Sequence, residues 1–170
     1  MEALPRLVEK YQIIHQTGKK SYEDIYGRSG VILMNNKNKQ RYKVYPYLNN
    51  VAMKMAAGAA DLVIARAGAG SISEIANWGI PAILIPISKK VSRDQESNAF
   101  AYARQGAAVV IRQGNLSDNI LLSEIDRIFS NPELKQKMIK AAKSFFKPDA
   151  DVIIAKTLLN ITVKHEMEVK

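Results

Sequence analysis

Cysteine is absent from this chain of 170 residues, and histidine occurs only at His15 and His165. Disulfides, thiolate metal sites and cysteine nucleophiles are thereby excluded, and two histidines cannot build a multi-histidine metal centre. Any chemistry rests on oxygen, amide and backbone groups. Long apolar runs are missing too. The strongest, residues 61–65 and 81–87, are strand-sized, well short of the roughly 18 residues a membrane-spanning helix needs. The first residues, Met1-Glu2-Ala3-Leu4-Pro5, lack a basic segment leading into an apolar one, so no secretory signal is expected and the cytoplasm is the expected compartment. Repeats, low-complexity tracts and linkers are not seen, which predicts one domain over residues 1–170. Acidic residues are in deficit, 16 against 25 Lys and Arg, for a net charge of +9. That excess suits an anionic partner such as a nucleotide, a nucleic acid or an acidic lipid headgroup. Its clusters are Lys37 to Lys43, Lys89 to Arg93 and Lys135 to Lys147, the last equally readable as a solvated face. Nucleic acid is set aside because neither an aromatic-interleaved basic strand nor a recognition helix is present.

Hydrophobic residues make up 47% of the chain, enough for a real core. Short β-branched runs alternate with longer helical stretches, predicting an α/β fold with a doubly wound parallel sheet of Rossmann type. Strands are expected at residues 11–15, 42–45, 61–65, 82–86 and 107–111. Helices are expected at 2–10, 21–26, 49–57, 71–78, 93–105, 117–129, 132–145 and 149–162, with Pro132 in a first turn. The chain opens on a helix, whereas such folds usually open on a strand.

The most informative stretch is Asp61 to Glu74, where a buried strand runs into Arg66-Ala67-Gly68-Ala69-Gly70-Ser71 and then a helix. Backbone N–H groups and the positive end of the helix dipole would face the carboxyl edge of the sheet, an anion site whose default occupant is phosphate. Bare glycines at 68 and 70 would let that phosphate approach the main chain. A dinucleotide fold is disfavoured: its third glycine position is Ser73, and the next strand ends Pro86-Ile87-Ser88-Lys89-Lys90 with no acid for the ribose. Glu74 has two readings of equal weight, the closing residue of a Ser71-x-x-Glu74 capping box or an acceptor for sugar hydroxyls. Ser92 to Gln95 repeats the capping pattern and brings Asp94, Gln95 and, one turn on, Asn98 to the same rim. His15-Gln16-Thr17-Gly18 closes the first strand, where a lone histidine is more often structural. Tyr45-Pro46-Tyr47-Leu48-Asn49 closes the second, with aromatics able to receive a flat base ring. Trp78 reads most simply as core.

In this order the His15 to Gly18 turn, the Arg66 to Glu74 segment, Gly79-Ile80-Pro81-Ala82-Ile83-Leu84-Ile85-Pro86 and Asp94-Gln95 with Asn98 resemble the C-terminal domain of the MurG family. Those bacterial enzymes add N-acetylglucosamine to the undecaprenyl-linked muramyl pentapeptide of peptidoglycan. The resemblance covers nearly the whole chain and implies the C-terminal lobe of a two-lobed glycosyltransferase, binding UDP-N-acetylglucosamine as donor without a metal or other cofactor. By that resemblance Gly68, Ala69, Gly70 and Ser71 would face the diphosphate and Glu74 the ribose. Asp94 and Gln95 would meet the donor sugar, the segment around Leu48 would read the uracil through its backbone, and His15 and Gln16 would lie near the donor. The N-terminal acceptor lobe and the strand with a G-G-S turn that opens this lobe are lacking, and in this fold that strand lies mid-sheet. The expectations are no transferase activity from these 170 residues alone, and a partner, either the missing lobe or a separate acceptor-binding subunit, with peripheral contact at the anionic inner face of the cell membrane.

Overall fold

The computed structural model describes residues 1–88, 91 and 93–168, the side chains of Arg93 and of residues 163–168 excepted. In chain order the elements are α1 (Leu4–Lys10), β1 (Ile13–Gln16), α2 (Tyr22–Ile32), β2 (Tyr42–Tyr45), α3 (Asn50–Ala59), β3 (Val63–Ala65) and α4 (Ala69–Trp78). They continue with β4 (Ala82–Leu84), α5 (Arg93–Arg104), β5 (Ala108–Val110), α6 (Asp118–Phe129), α7 (Pro132–Phe145) and α8 (Ala150–Glu168). Side-chain caps explain several helix starts. Asn49 accepts from the N–H of Ala52, Ser117 from Ile120 and Asn131 from Leu134, each satisfying an amide the helix leaves free. Gly79, at φ 67°, takes the left-handed conformation that ends α4.

The strands are short and parallel, and they form two sheets where one was expected. β1 pairs with β2, and β4 lies between β3 and β5. This is a Rossmann-like architecture, divided between β1 and β3. Strand pleat separates the core of the larger sheet into two layers. Ala82 and Leu84 of β4 pack with Ile72, Ile75, Ala76, Ala99 and Tyr102 on one face, while Ile83 packs with Ile111, Ile125, Ile128 and Met138 on the other. The smaller sheet has its own cluster, Leu4, Val8 and Leu33 against Ile13 and Tyr42.

Several boundaries shift from the expected ones, for identifiable reasons. Tyr11 closes α1 and begins no strand: its ring stacks on Phe129 at 4.9 Å and its hydroxyl donates to Asp126 at 2.7 Å. β1 therefore starts at Ile13. β3, β4 and β5 are each two residues shorter than the apolar runs that contain them, because hydrophobicity marks burial while pairing ends where the strands diverge. α2 runs on past Tyr26 through Gly27 and Gly30. Two glycines weaken a helix by roughly 1 kcal/mol each, which the burial of Leu33 against Leu4 and Val8 offsets. α8 also runs on past residue 162. Trp78 is partly buried against the first core layer, as a core reading requires.

Candidate functional site

β3 delivers the chain to the carboxyl edge of the larger sheet, and the turn Arg66-Ala67-Gly68 carries it into α4. Gly68 is the N-cap, at φ −65° and ψ 146°, and makes no side-chain cap. The first backbone bond of the helix runs from the N–H of Ile72 to the carbonyl of Gly68. The four amides ahead of it, those of Gly68, Ala69, Gly70 and Ser71, are thus the ones an α-helix leaves without an internal acceptor. No acidic side chain stands in the first turn to neutralise that positive end. The glycines are not demanded by the fold. Neither has a positive φ; a Cβ on Gly70 would meet nothing within 4 Å, and one on Gly68 only the Ser71 hydroxyl at 3.9 Å. Open space in front of bare, unsatisfied amides is what an approaching anion requires.

Starting at Ala69, α4 begins two residues earlier than expected, and this decides between the readings of Glu74. Ser71 sits inside the helix instead of capping it, so the Ser71-Glu74 capping box does not form. Glu74 lies one turn beyond the free amides, is exposed, and makes no hydrogen bond or ion pair among the described residues. Its carboxylate is available as an acceptor.

α5 frames the same edge. The Nδ2 of Asn98 reaches the carbonyl of Ala67 at 3.5 Å, tying α5 to the glycine turn. Gln95 accepts from the N–H of Ile87 at 3.1 Å and so fastens the loop leaving β4; Asp94 is exposed at the start of the helix. The second capping-box pattern turns on Ser92, which with Lys89 and Lys90 lies outside the described residues. Two arginines that the motif reading left unassigned stand at this edge. Arg66 donates to the carbonyl of Ile85 at 3.1 Å and to Gln113 at 3.3 Å, while Arg112 pairs with Glu96 at 2.8 Å and lies over the Phe100 ring. The signal was present: each arginine follows a strand within two residues, where side chains emerge at the ligand edge.

On the smaller sheet, the carboxamide oxygen of Gln16 accepts from the N–H of Leu48 at 2.7 Å, which joins the ends of β1 and β2. Gly18 turns the chain at φ 78°, and Tyr47 stands exposed beside Leu48. His15 points to the opposite face of β1 from Gln16, its Nδ1 sharing a hydrogen bond with the Tyr42 hydroxyl at 2.7 Å. Burial, with a smaller contribution from the N-terminal charge, holds its imidazole below the ordinary pKa of 6.5. Its Nδ1 is thereby engaged with the smaller sheet itself. The structure therefore groups Gly68 to Glu74 with Asp94, Gln95 and Asn98, and separately Gln16 with Leu48. No hydrogen bond between described residues joins the two groups. A cavity of about 320 Å³, lined by Asp61, Pro81 and Lys135 among others, opens at the other end of β3 and β4 and is spanned by the 2.6 Å Lys135–Asp61 ion pair. It is remote from the glycine turn, which lies at the carboxyl end of β3.

Residues 1–153 match the model of the glycosyltransferase family 28 C-terminal domain. Among curated proteins the chain is 37% identical over 152 residues to the UDP-N-acetylglucosamine--N-acetylmuramyl-(pentapeptide) pyrophosphoryl-undecaprenol N-acetylglucosamine transferase of Halothermothrix orenii, covering 89% of this chain and 39% of that protein. The crystal structure of Acinetobacter baumannii MurG superposes with a TM-score of 0.72 at 25% identity, over 92% of this chain and 46% of that one. The glycosyltransferase VinC, solved in complex with DTDP, shares the fold at a TM-score of 0.62 and 14% identity, over 83% of this chain and 32% of its own. The chain thus spans less than half the length of the proteins it matches.

Proposed function

We propose, for a chain that belongs to the glycosyltransferase family 28 C-terminal domains, that it is the lobe that binds UDP-N-acetylglucosamine in an inverting, lipid-linked N-acetylglucosaminyl transfer of peptidoglycan synthesis. The observation that carries the reading is the set of four amides at Gly68, Ala69, Gly70 and Ser71 that the helix leaves without an internal acceptor, with a Glu74 carboxylate one turn on that has no partner among the described residues. The amides receive the diphosphate and the carboxylate accepts from the ribose hydroxyls. Asp94 and Gln95 face the sugar from the start of α5, and the Gln16–Leu48 junction, with exposed Tyr47 beside it, receives the uracil.

In the complete transferase an acceptor hydroxyl attacks the anomeric carbon, the bond to UDP breaks, and the configuration inverts. Negative charge then develops on the leaving diphosphate, where oriented amides stabilise it without reorganisation. Arg66, whose described partners are a carbonyl and a carboxamide, adds positive potential at that edge, while the Arg112 charge is balanced by Glu96. The acceptor site belongs to polypeptide beyond these residues, so transfer by this lobe alone is not expected. Titration calorimetry with UDP-N-acetylglucosamine, UDP and N-acetylglucosamine tests the reading. Saturable heat is expected with the first two and little with the free sugar; a folded protein that gives no heat with millimolar UDP-N-acetylglucosamine would reject it.

A second reading is a donor-binding subunit that acts only with a separate membrane-associated acceptor subunit. It is favoured by α8, whose Leu158, Leu159 and Ile161 are each about 60% exposed, an apolar surface suited to a protein partner. No described helix is long and apolar enough to cross a membrane. Transfer that appears when a separately expressed acceptor lobe is added distinguishes this arrangement.

A further inference from the structure

We infer that Arg112 is a positioning residue for donor-sugar recognition: paired with Glu96 and laid over Phe100, it fixes the roll of α5 against the glycine turn. Because Asp94 and Gln95 are the residues whose placement it sets, this rests on the sugar-nucleotide reading and deepens it.

The start of α5 needs such a residue. Arg93-Asp94-Gln95-Glu96-Ser97-Asn98 holds no apolar side chain, and Val91 just ahead of it is exposed. Hydrophobic anchorage begins only at Ala99 and Tyr102, both fully buried in the first core layer. Burial therefore places the middle of the helix and leaves its first turn to polar contacts. Among the described residues, three side-chain hydrogen bonds hold that turn. Gln95 accepts from the N–H of Ile87 at 3.1 Å, Asn98 reaches the carbonyl of Ala67 at 3.5 Å, and Glu96 accepts from the Nε of Arg112 at 2.8 Å. The last is the shortest of the three, and it alone joins two charges.

Helix geometry assigns these bonds to sides. At 3.6 residues per turn, Asp94 and Asn98 share one flank of α5, while Glu96 and Phe100 share another about 160° away. Asn98 ties the first flank to the glycine turn, and Arg112 holds the second. Its guanidinium lies over the Phe100 ring at 5.0 Å while its Nε reaches Glu96, so one planar group grips both residues of that flank. The Glu96 side chain is only 16% exposed, so the pair is screened by salt and water less than a surface pair would be.

Arg112 is itself a fixed post. Ile111 beside it is buried in the second core layer and donates its N–H to the carbonyl of Leu84 at 2.9 Å. On the other side Gln113 accepts from Arg66 at 3.3 Å, and Arg66 immediately precedes Ala67. The bonds thus close a ring around the rim, from Ala67 through Asn98, Glu96, Arg112 and Gln113 back to Arg66. A side chain about 5 Å from a helix axis moves by about 1 Å when the helix rolls by about 10°, enough to misalign a hydrogen bond. Opening the ring at Arg112 releases that roll. Asp94 and Gln95 then shift relative to the amides of Gly68 to Ser71, which stay in place.

Calorimetry on the full chain with UDP and with UDP-N-acetylglucosamine tests this, because the sugar is the part that distinguishes the two ligands. Arg112→Gln combined with Glu96→Gln removes the ion pair and keeps the net charge. That double variant should weaken UDP-N-acetylglucosamine about fivefold, the loss of one sugar hydrogen bond, and leave UDP within about twofold of the parent. Arg112→Met alone, which keeps an aliphatic chain over Phe100, should show the same selective loss and serves if the double variant fails to fold. Equal changes for both ligands, or no change for either, would overturn the positioning role while leaving the sugar-nucleotide reading intact. A folded parent that binds neither ligand would reject that reading, and the positioning role with it.

Discussion

Gly70→Ala should separate folding from binding. Residue 70 is the second position of α4, its φ is not positive, and an added methyl would meet no atom within 4 Å. Alanine lowers the backbone entropy lost on folding, so the variant should be more stable by about 0.5 kcal/mol, the low end for Gly→Ala in a helix. For a domain of this size that raises Tm by roughly 1–2 °C. Binding should move the other way. The methyl projects into the space that the free amides of Gly68 to Ser71 hold open, pushing a diphosphate off hydrogen-bonding distance. Loss of one charge-assisted bond, about 1.5–3 kcal/mol, means at least a tenfold weaker Kd for UDP-N-acetylglucosamine. Thermal melting without ligand and calorimetry with it read the two effects. A variant that melts higher and binds UDP-N-acetylglucosamine as the parent does would show that the turn receives no phosphate. One that melts several degrees lower would show that the glycine serves the fold.

Glu74→Gln should leave Tm within 1 °C, because the carboxylate has no described partner, yet weaken UDP-N-acetylglucosamine about tenfold by calorimetry. Tyr102→Phe should be neutral or raise Tm: the Tyr102 hydroxyl is buried without a partner among the described residues, and burial pushes its pKa up to about 12; a fall of more than 2 °C would reveal a hidden acceptor. Gly79→Ala should cost roughly 1–3 kcal/mol, since φ is 67° and its Cβ would lie 2.7 Å from Lys143 side-chain atoms. Lys143→Ala in the same chain should recover the steric part only, as denaturant titration would show. His15 has a folded pKa below its unfolded one, so its contribution is fully present above pH 6.5 and is lost as pH falls through the folded value. His15→Gln should flatten the Tm profile between pH 7 and pH 5; an unchanged slope would place the titration elsewhere.

The glycine turn was legible because the chemistry of a free helix N-terminus is local: strand, bare residues and helix follow one another within 14 positions. The capping-box reading of Glu74 was equally local and did not hold, because the helix started at Ala69, upstream of the serine meant to cap it. A capping box and an extended helix start are close in energy, and packing of Ile72, Ile75 and Ala76 into the core is what the chain optimises. The arginines at residues 66 and 112 were unassigned for a different reason, since which side chains converge on one sheet edge depends on strand order.

Apolar period, turn residues and motif order, all properties of neighbours along the chain, were enough to determine the α/β class, the five parallel strands and the glycine turn between β3 and α4. The division into two sheets, the bond between His15 and Tyr42, the junction of Gln16 with Leu48 and the packing of α1 on the cores of both sheets were decided only in three dimensions. Pairing between strands is set by competition among distant segments for the same backbone edges. A strand's own residues do not say which neighbour it will pair with.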